Sequence, residues 1–238
     1  MRPHDALCVA LDGSDRQWMI DTARALAVHA GWFKVGLEAF TAHGPAVVED
    51  LAGAGHRVFL DLKLHDIPAT VRRAAANCAG GGAHMFNVHA SGGRAMLEAA
   101  VAGARERALD APPRVVAVTV LTSLDDAALA AMGVNAPIAE IVVSWARLAQ
   151  ECGLDGVVCS AREAPSVRAA CGERFLLVTP GIRPAATVDD QRRTVTPRQA
   201  IAAGADILVV GRPITSARSP AEAAKAIVAE MADRDSHS

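Results

Sequence analysis

The sequence predicts an α/β fold, a (β/α)8 barrel. Three observations carry the prediction. Short apolar runs alternate with Ala-rich amphipathic stretches, eight times in order. The runs are apolar on both faces, as expected of parallel strands covered by crossover helices. The length, 238 residues, suits eight such units. A doubly wound open sheet is the runner-up, but no GxGxxG follows the first run.

The first strand is expected over ALCVAL (6–11), followed by a helix near 15–30. WFKVGL (32–37) and a helix over 38–54 form the second unit. RVFLDLK (57–63) and 68–80 form the third, HMFNVH (84–89) and 93–109 the fourth. RVVAVTVL (114–121) with 136–152, GVVCS (156–160) with 162–171, and FLLVT (175–179) with 197–203 follow. DILVVG (206–211) and a helix over 219–233 close the set. Gly-containing breaks after the helices, such as GAGH at 53 and AGAD at 203, read as helix ends turning into strands. No linker or low-complexity segment interrupts the series, so residues 1–238 read as one catalytic barrel domain.

Composition narrows the function. The chain has three Trp, five Phe and no Tyr, so Ala, Val, Leu and Ile must build the core. A net charge of −2 and no basic stripe interleaved with aromatics argue against nucleic acid as a partner. No apolar run approaches the ~20 residues that span a bilayer, and MRPHDALCVALDG has no signal-peptide pattern. Cys8, Cys78, Cys152, Cys159 and Cys171 show no CxxC spacing and read as buried small hydrophobes. Reduced thiols without an export signal imply a cytoplasmic protein. Of 24 basic residues only Lys34, Lys63 and Lys225 are lysine. A lysine at a strand end therefore needs a reason, because Lys can donate a proton and Arg effectively cannot.

Chemistry in a barrel collects at the C-terminal strand ends. There the sequence places Asp12, Lys34, Asp61 and Lys63, Asn87 and His89, Thr122 and Ser123, Arg183, and Arg212. Side chains alternate along a strand, so Phe59, Asp61 and Lys63 share the inner face, while Leu60, Leu62 and Leu64 face the helices. Lys34 and Gly36 share a face on the neighbouring strand. Asp66 lies beyond the third strand, and spacing alone leaves it open between a helix N-cap and a site residue. Flanking carboxylates favour the charged form of a lysine. Lys63 thus reads as a held ammonium that stabilises negative charge and then gives up a proton, the opposite of a Schiff-base nucleophile. A class I aldolase is disfavoured.

TPGIRP (179–184) and VVGRPIT (209–215) each put Gly beside Arg after a strand, where barrels bind phosphate. Gly211 allows close backbone approach, and Arg212 offers a bidentate donor. The polar connection 184–196 is long enough to be a lid. His89 lacks HxH, HExxH or a carboxylate cluster, so no metal site is expected.

These residues together resemble the orotidine 5′-phosphate decarboxylase family, in its common bacterial branch. DLKLHDIPATV (61–71) is similar to its D-x-K-x-x-D-I-P signature. VALD (9–12), FKVGLEAF (33–40), NVHASGG (87–93), VTVLTS (118–123), VTPGIRP (178–184), DDQRR (189–193) and VGRPIT (210–215) extend the likeness along the chain. The resemblance implies decarboxylation of orotidine 5′-phosphate to UMP, with no metal or organic cofactor. It implies that Asp12 and Lys34 contact the ribose, Asp61 sits beside the substrate carboxylate, and Lys63 protonates C6. Asp66, Ile67 and Thr70 would reach into the neighbouring subunit's site of a homodimer. Thr122 would contact the pyrimidine, and Arg183, Gln191, Gly211 and Arg212 would hold the phosphate and close the lid. Two departures stand out: Ala69 occupies a position where the family often has Asn, and the lid between Arg183 and Gln191 looks about one residue short.

Two other readings compete. A sugar-phosphate decarboxylase or synthase using Mg²⁺ shares D-x-K-x-x-D, but places an acidic ligand where this chain has Lys34. A non-catalytic phosphate-binding barrel would not need Asp61, Lys63 and Asp66 together.

Overall fold

Eight parallel strands close into a barrel in chain order. They are β1 (Leu7–Ala10), β2 (Trp32–Gly36), β3 (Val58–Leu64), β4 (Met85–His89), β5 (Arg114–Val118), β6 (Gly156–Val158), β7 (Leu176–Thr179) and β8 (Ile207–Val210). The ring closes where Cys8 of β1 pairs with Val209 of β8. The structure, a computed structural model, describes residues 2–108, 111–184 and 195–233.

The helices that cover the strands are α1 (Arg16–Leu26), α2 (Leu37–His43), α3 (Ala46–Gly53), α4 (Pro68–Gly80), α5 (Gly93–Glu106) and α6 (Asp126–Ala131). They continue as α7 (Ile138–Glu151), α8 (Ala164–Cys171), α9 (Pro197–Ala202), α10 (Arg212–Thr215) and α11 (Pro220–Ala232). Several begin on side-chain caps. Asp15 accepts from the Trp18 amide, and Asp125 from the Ala128 amide. Thr196 and Gln199 form a reciprocal capping box on α9.

The eight strands lie where the sequence predicts them, within a few residues at each end; most are shorter, and β3 runs one residue further, to Leu64. Three differences concern helices. The stretch 38–54 is two helices, because Gly44 and Pro45 break it. The segment after β5 contains α6, started by the Asp125 cap. A one-turn helix, α10, opens directly at Arg212.

Strand alternation builds two apolar layers. Cys8, Ala10, Trp32, Phe59, Met85, Val116, Leu176, Val178, Ile207 and Val209 fill the barrel interior. Leu7, Val9, Phe33, Val35, Val58 and Leu60 face outward into the larger cluster shared with the helices. All five cysteines are buried and free, as the sequence implies. Burial pushes the Cys159 thiol up to about 12.

Arginines and aspartates staple the end where the strands begin. Arg57 donates to the Gly31 carbonyl at 2.8 Å and pairs with Asp5 at 2.8 Å. Its guanidinium lies 4.8 Å over the Trp32 ring. Arg168 donates to the carbonyls of Gly172, Phe175 and Gly204 and to Asp206. Asp155 and Asp206 accept from the strand amides of Val115 and Leu177. These contacts knit together the end where the strands begin, and the polar residues at the strand C-termini lie at the opposite mouth.

Candidate active site

Four charged side chains from three strands meet at the C-terminal mouth. Lys34 Nζ on β2 lies 2.9 Å from Asp12 Oδ1 and 3.3 Å from Asp61 Oδ2. Lys63 Nζ lies 2.6 Å from the other Asp61 oxygen. The order is Asp12, Lys34, Asp61, Lys63, with signs alternating along the row. The Lys34 and Asp61 side chains are only 10% and 13% exposed, whereas Lys63, at the end of the row, is 30% exposed.

The electrostatics follow from this order. Burial alone would push the Asp61 carboxyl up. Lys34, then Lys63, and hydrogen bonds from Lys63 and Asn87 outweigh burial and hold it below its ordinary value. Burial also works against charge on Lys34, but Asp61 and Asp12 outweigh it and raise Lys34 above an ordinary lysine. Both groups are therefore ionised at neutral pH.

Local backbone makes the cluster possible. Gly36 faces inward above Lys34, and a Cβ there would lie 2.8 Å from Lys34 Nζ and 3.2 Å from Asp12 Oδ1. A larger residue would displace the ammonium. On β3 the regular pairing with β4 runs through Leu60–Phe86, then slips before Leu64–Val88. Within the slip Lys63 takes φ 54°, the only positive φ of a non-glycine among the described residues. Alternation thus predicts the correct face for Lys63, but a bulge, not a regular pleat, brings its amine beside Asp61.

Asp66 is not a helix cap. The N-cap position of α4 is Ile67, which makes no side-chain capping bond. The Asp66 carboxylate is exposed and accepts from the Ile67 amide. Within one chain it is not brought to Lys63. Ile67 beside it is 66% exposed, and Thr70 lies in the first turn of α4.

The other predicted residues surround the same mouth. Gly211 follows β8, and a Cβ there would make only ordinary contacts, 3.5 Å from Ala10 Cβ and 3.6 Å from Asp12 Oδ2. The protein itself leaves room for a side chain at this point. Arg212 opens α10 with an exposed side chain. Arg183 follows Ile182, which bridges to Val195, and its guanidinium donates to the Ile182 carbonyl at 3.2 Å. Thr122 is exposed in the turn after β5 and lines a cleft of about 550 Å³ with Ser160, Glu163, Pro180 and Gly181. Gln191 and most of the expected lid lie outside the described residues. His65 and His89 stack with ring centroids 5.3 Å apart. Among the described residues no three His, Cys, Asp or Glu gather as a metal site.

One residue escaped sequence reasoning as a contributor. Asn87 on β4 is 1% exposed, donates to Asp61 Oδ1 at 2.7 Å and accepts from the Lys63 amide at 2.7 Å. A buried Asn inside an apolar strand was the available signal.

Comparison with known proteins agrees with this architecture. The model of the orotidine 5′-phosphate decarboxylase / HUMPS family matches residues 5–227. An orotidine 5′-phosphate decarboxylase of Moorella thermoacetica is 52% identical over 236 residues, 97% of this chain and 94% of that protein. One from Anaeromyxobacter sp. (strain K) is 52% identical over 232 residues, 97% of this chain and all of that protein. The crystal structure of the Lactobacillus acidophilus orotidine 5′-phosphate decarboxylase superposes with a TM-score of 0.85 at 38% identity, covering 94% of this chain and 98% of that one. The chain belongs to the orotidine 5′-phosphate decarboxylase / HUMPS family and is a carboxy-lyase.

Proposed function

We propose that the protein decarboxylates orotidine 5′-phosphate to UMP and CO₂, the last step of de novo pyrimidine nucleotide synthesis, as one cytoplasmic catalytic domain that needs no cofactor. The observation that carries the mechanism is the alternating row Asp12, Lys34, Asp61, Lys63, ending in a part-exposed amine 2.6 Å from a carboxylate.

The chemistry follows from charge. The substrate phosphate is held by Arg183, Gln191, Gly211 and Arg212, and the ribose by Asp12 and Lys34. The pyrimidine lies against Thr122. This sets the carboxylate on C6 beside Asp61, where like charges disfavour the ground state. The C6–carboxylate bond breaks, CO₂ departs, and the electron pair stays on C6. The Lys63 ammonium stabilises that charge as it develops. It then transfers one proton to C6, leaving a neutral amine that solvent reprotonates. Binding energy from the phosphate, remote from C6, supports lid closure and is expressed in the transition state.

The Lys34 ammonium sits between the two carboxylates that would otherwise hold a divalent cation. This favours the orotidylate reaction over Mg²⁺-dependent sugar-phosphate chemistry. Asp66, Ile67 and Thr70 are assigned to the neighbouring subunit's site in a homodimer. The exposure of Asp66 and Ile67 supports that assignment, as does a carboxylate whose hydrogen bond goes to the adjacent Ile67 amide.

EDTA-treated protein should convert orotidine 5′-phosphate to UMP, followed by absorbance. Turnover that needs Mg²⁺ would reject the cofactor-independent reading. Mixing Lys63→Ala with Asp66→Ala protein should restore part of the activity through hybrid dimers. No recovery would place Asp66 outside a shared site.

A further inference from the structure

We propose that Asn87 is a positioning residue for this reaction: its amide locks the backbone of Lys63 and the carboxylate of Asp61 into one rigid unit. The inference rests on the reading of Lys63 as proton donor.

The argument starts from the slip in β3. Leu60 pairs with Phe86 and Leu64 with Val88, so Asp61, Leu62 and Lys63 face a single β4 residue, Asn87. A slip of this kind takes ladder partners away from the bulged strand. A left-handed lysine, at φ 54°, is strained as well. Asn87 Oδ1 accepts from the Lys63 amide at 2.7 Å and supplies the missing partner. Its Nδ2 donates at 2.7 Å to Asp61 Oδ1, the oxygen that also receives Lys63 Nζ at 2.6 Å. A closed ring results: amide oxygen to Lys63 backbone, Lys63 amine to Asp61, Asp61 to amide nitrogen.

The side chain that closes this ring is tightly specified. It must accept at one atom and donate at another, within the reach of one strand position. Asn meets both needs, and reversing its amide would set NH₂ against N–H and oxygen against carboxylate. A carboxylate at this position would oppose Asp61. An apolar side chain would leave the Lys63 amide without its partner. The strain at Lys63 is held where the proton must be delivered, which is where a misplacement of about 1 Å costs most.

The test uses Asn87→Ala, Asn87→Asp and Lys63→Ala proteins, with kcat, KM and the UMP dissociation constant measured for each. Asn87→Ala should lose about 100-fold in kcat, while UMP affinity, set by phosphate and ribose contacts, changes by less than about threefold. Asn87→Asp keeps volume and acceptor, and its protonated form restores the donor. Asp61 faces Lys34 on β2, Lys63 on β3, Asp12 after β1 and His89 on β4, so a further carboxylate there is opposed by Asp61 and Asp12. Activity of Asn87→Asp should therefore rise relative to wild type as pH is lowered from 8 to 5. Unchanged kcat in Asn87→Ala overturns the proposal, as does an equal loss of kcat and UMP affinity. If Asn87→Ala does not fold, the pH profile of Asn87→Asp decides: a profile parallel to wild type rejects the role. Lys63→Ala separates the two readings. If it turns over normally, the proton-donor reading fails. If it is inactive while Asn87→Ala is normal, only the positioning role fails.

Discussion

Both ends of the barrel carry cations clamped by aspartates, yet they are built differently. At the end where the strands begin, Arg168 spends its N–H groups on three backbone carbonyls and Asp206, and Arg57 divides its own between Gly31 and Asp5. Each aspartate that begins a strand there also accepts from a strand amide. These groups are tied to the backbone of the fold. At the open end Lys34 and Lys63 bond to carboxylates, and the carboxylates bond back to them. Structural cations here are arginines, which hold many acceptors at once and never release a proton. The cations of the Asp12–Asp61 row are lysines, compact charges that leave room for a ligand and can deprotonate. The same ion-pair chemistry serves cohesion at one end and reactivity at the other.

The sharpest way to break this contrast is to exchange the cation types. Lys63→Arg keeps the charge but cannot give up a proton, so kcat should fall by about 10³-fold or more. The melting temperature should hardly move. A turnover assay beside a thermal melt checks both, and an active Lys63→Arg protein would erase the distinction. At the other end, Arg168→Ala should cost about 3 kcal/mol of stability by denaturant titration. Its kcat at 25 °C should stay within about twofold of wild type, because no Arg168 partner lies at the mouth.

Gly36→Ala sharpens the comparison inside the site. Its Cβ would crowd Lys34 Nζ, and the ammonium must shift away from Asp12 and Asp61. A loss of about tenfold in kcat/KM is expected, with stability nearly unchanged. A normal Gly36→Ala enzyme would mean that the position of Lys34 is not critical.

The smallest effect is in the pH dependence of stability. The folded-state pKa of Asp61 is depressed, so its contribution is present above the unfolded value near 4 and is lost as pH falls through the folded value. Lys34 is raised, so its contribution is present below about 10.4 and lost as pH rises through its folded value. The stability gap between wild type and Asp61→Asn should be flat from about pH 5 to 9. It should narrow only as pH falls below about 5, through the unfolded and then the folded value. A gap that widens in acid would contradict the ion-pair order.

Much of this was legible because barrel strands are simple. Two-sided apolar runs fixed all eight strands, and period-two alternation put Phe59, Asp61 and Lys63 inside and Leu60, Leu62 and Leu64 outside. Lysine scarcity pointed to Lys34 and Lys63 before any geometry. Other features were harder for physical reasons. The split at Gly44–Pro45 was hidden by the apolar periodicity running across it. The left-handed backbone of Lys63 depends on how β3 registers against β4, a pairing between residues far apart in sequence. The role of Asn87 depends on that register too. Asp66 could not be settled by local spacing, because its nearest partner in the chain is the adjacent Ile67 amide.

The scarcity of lysine has a practical consequence. The chain carries three side-chain amines, and two of them lie in the charged row at the mouth. The third, Lys225 on α11, has a side chain 65% exposed and only a loose 3.8 Å contact to Glu222. An amine-reactive label therefore has one open side-chain attachment point on the outer wall, away from the row at the mouth. With UMP bound to shield Lys63, that point becomes a single-site handle for surface immobilisation or a fluorophore, and a peptide map would read site occupancy from which lysines stay unmodified.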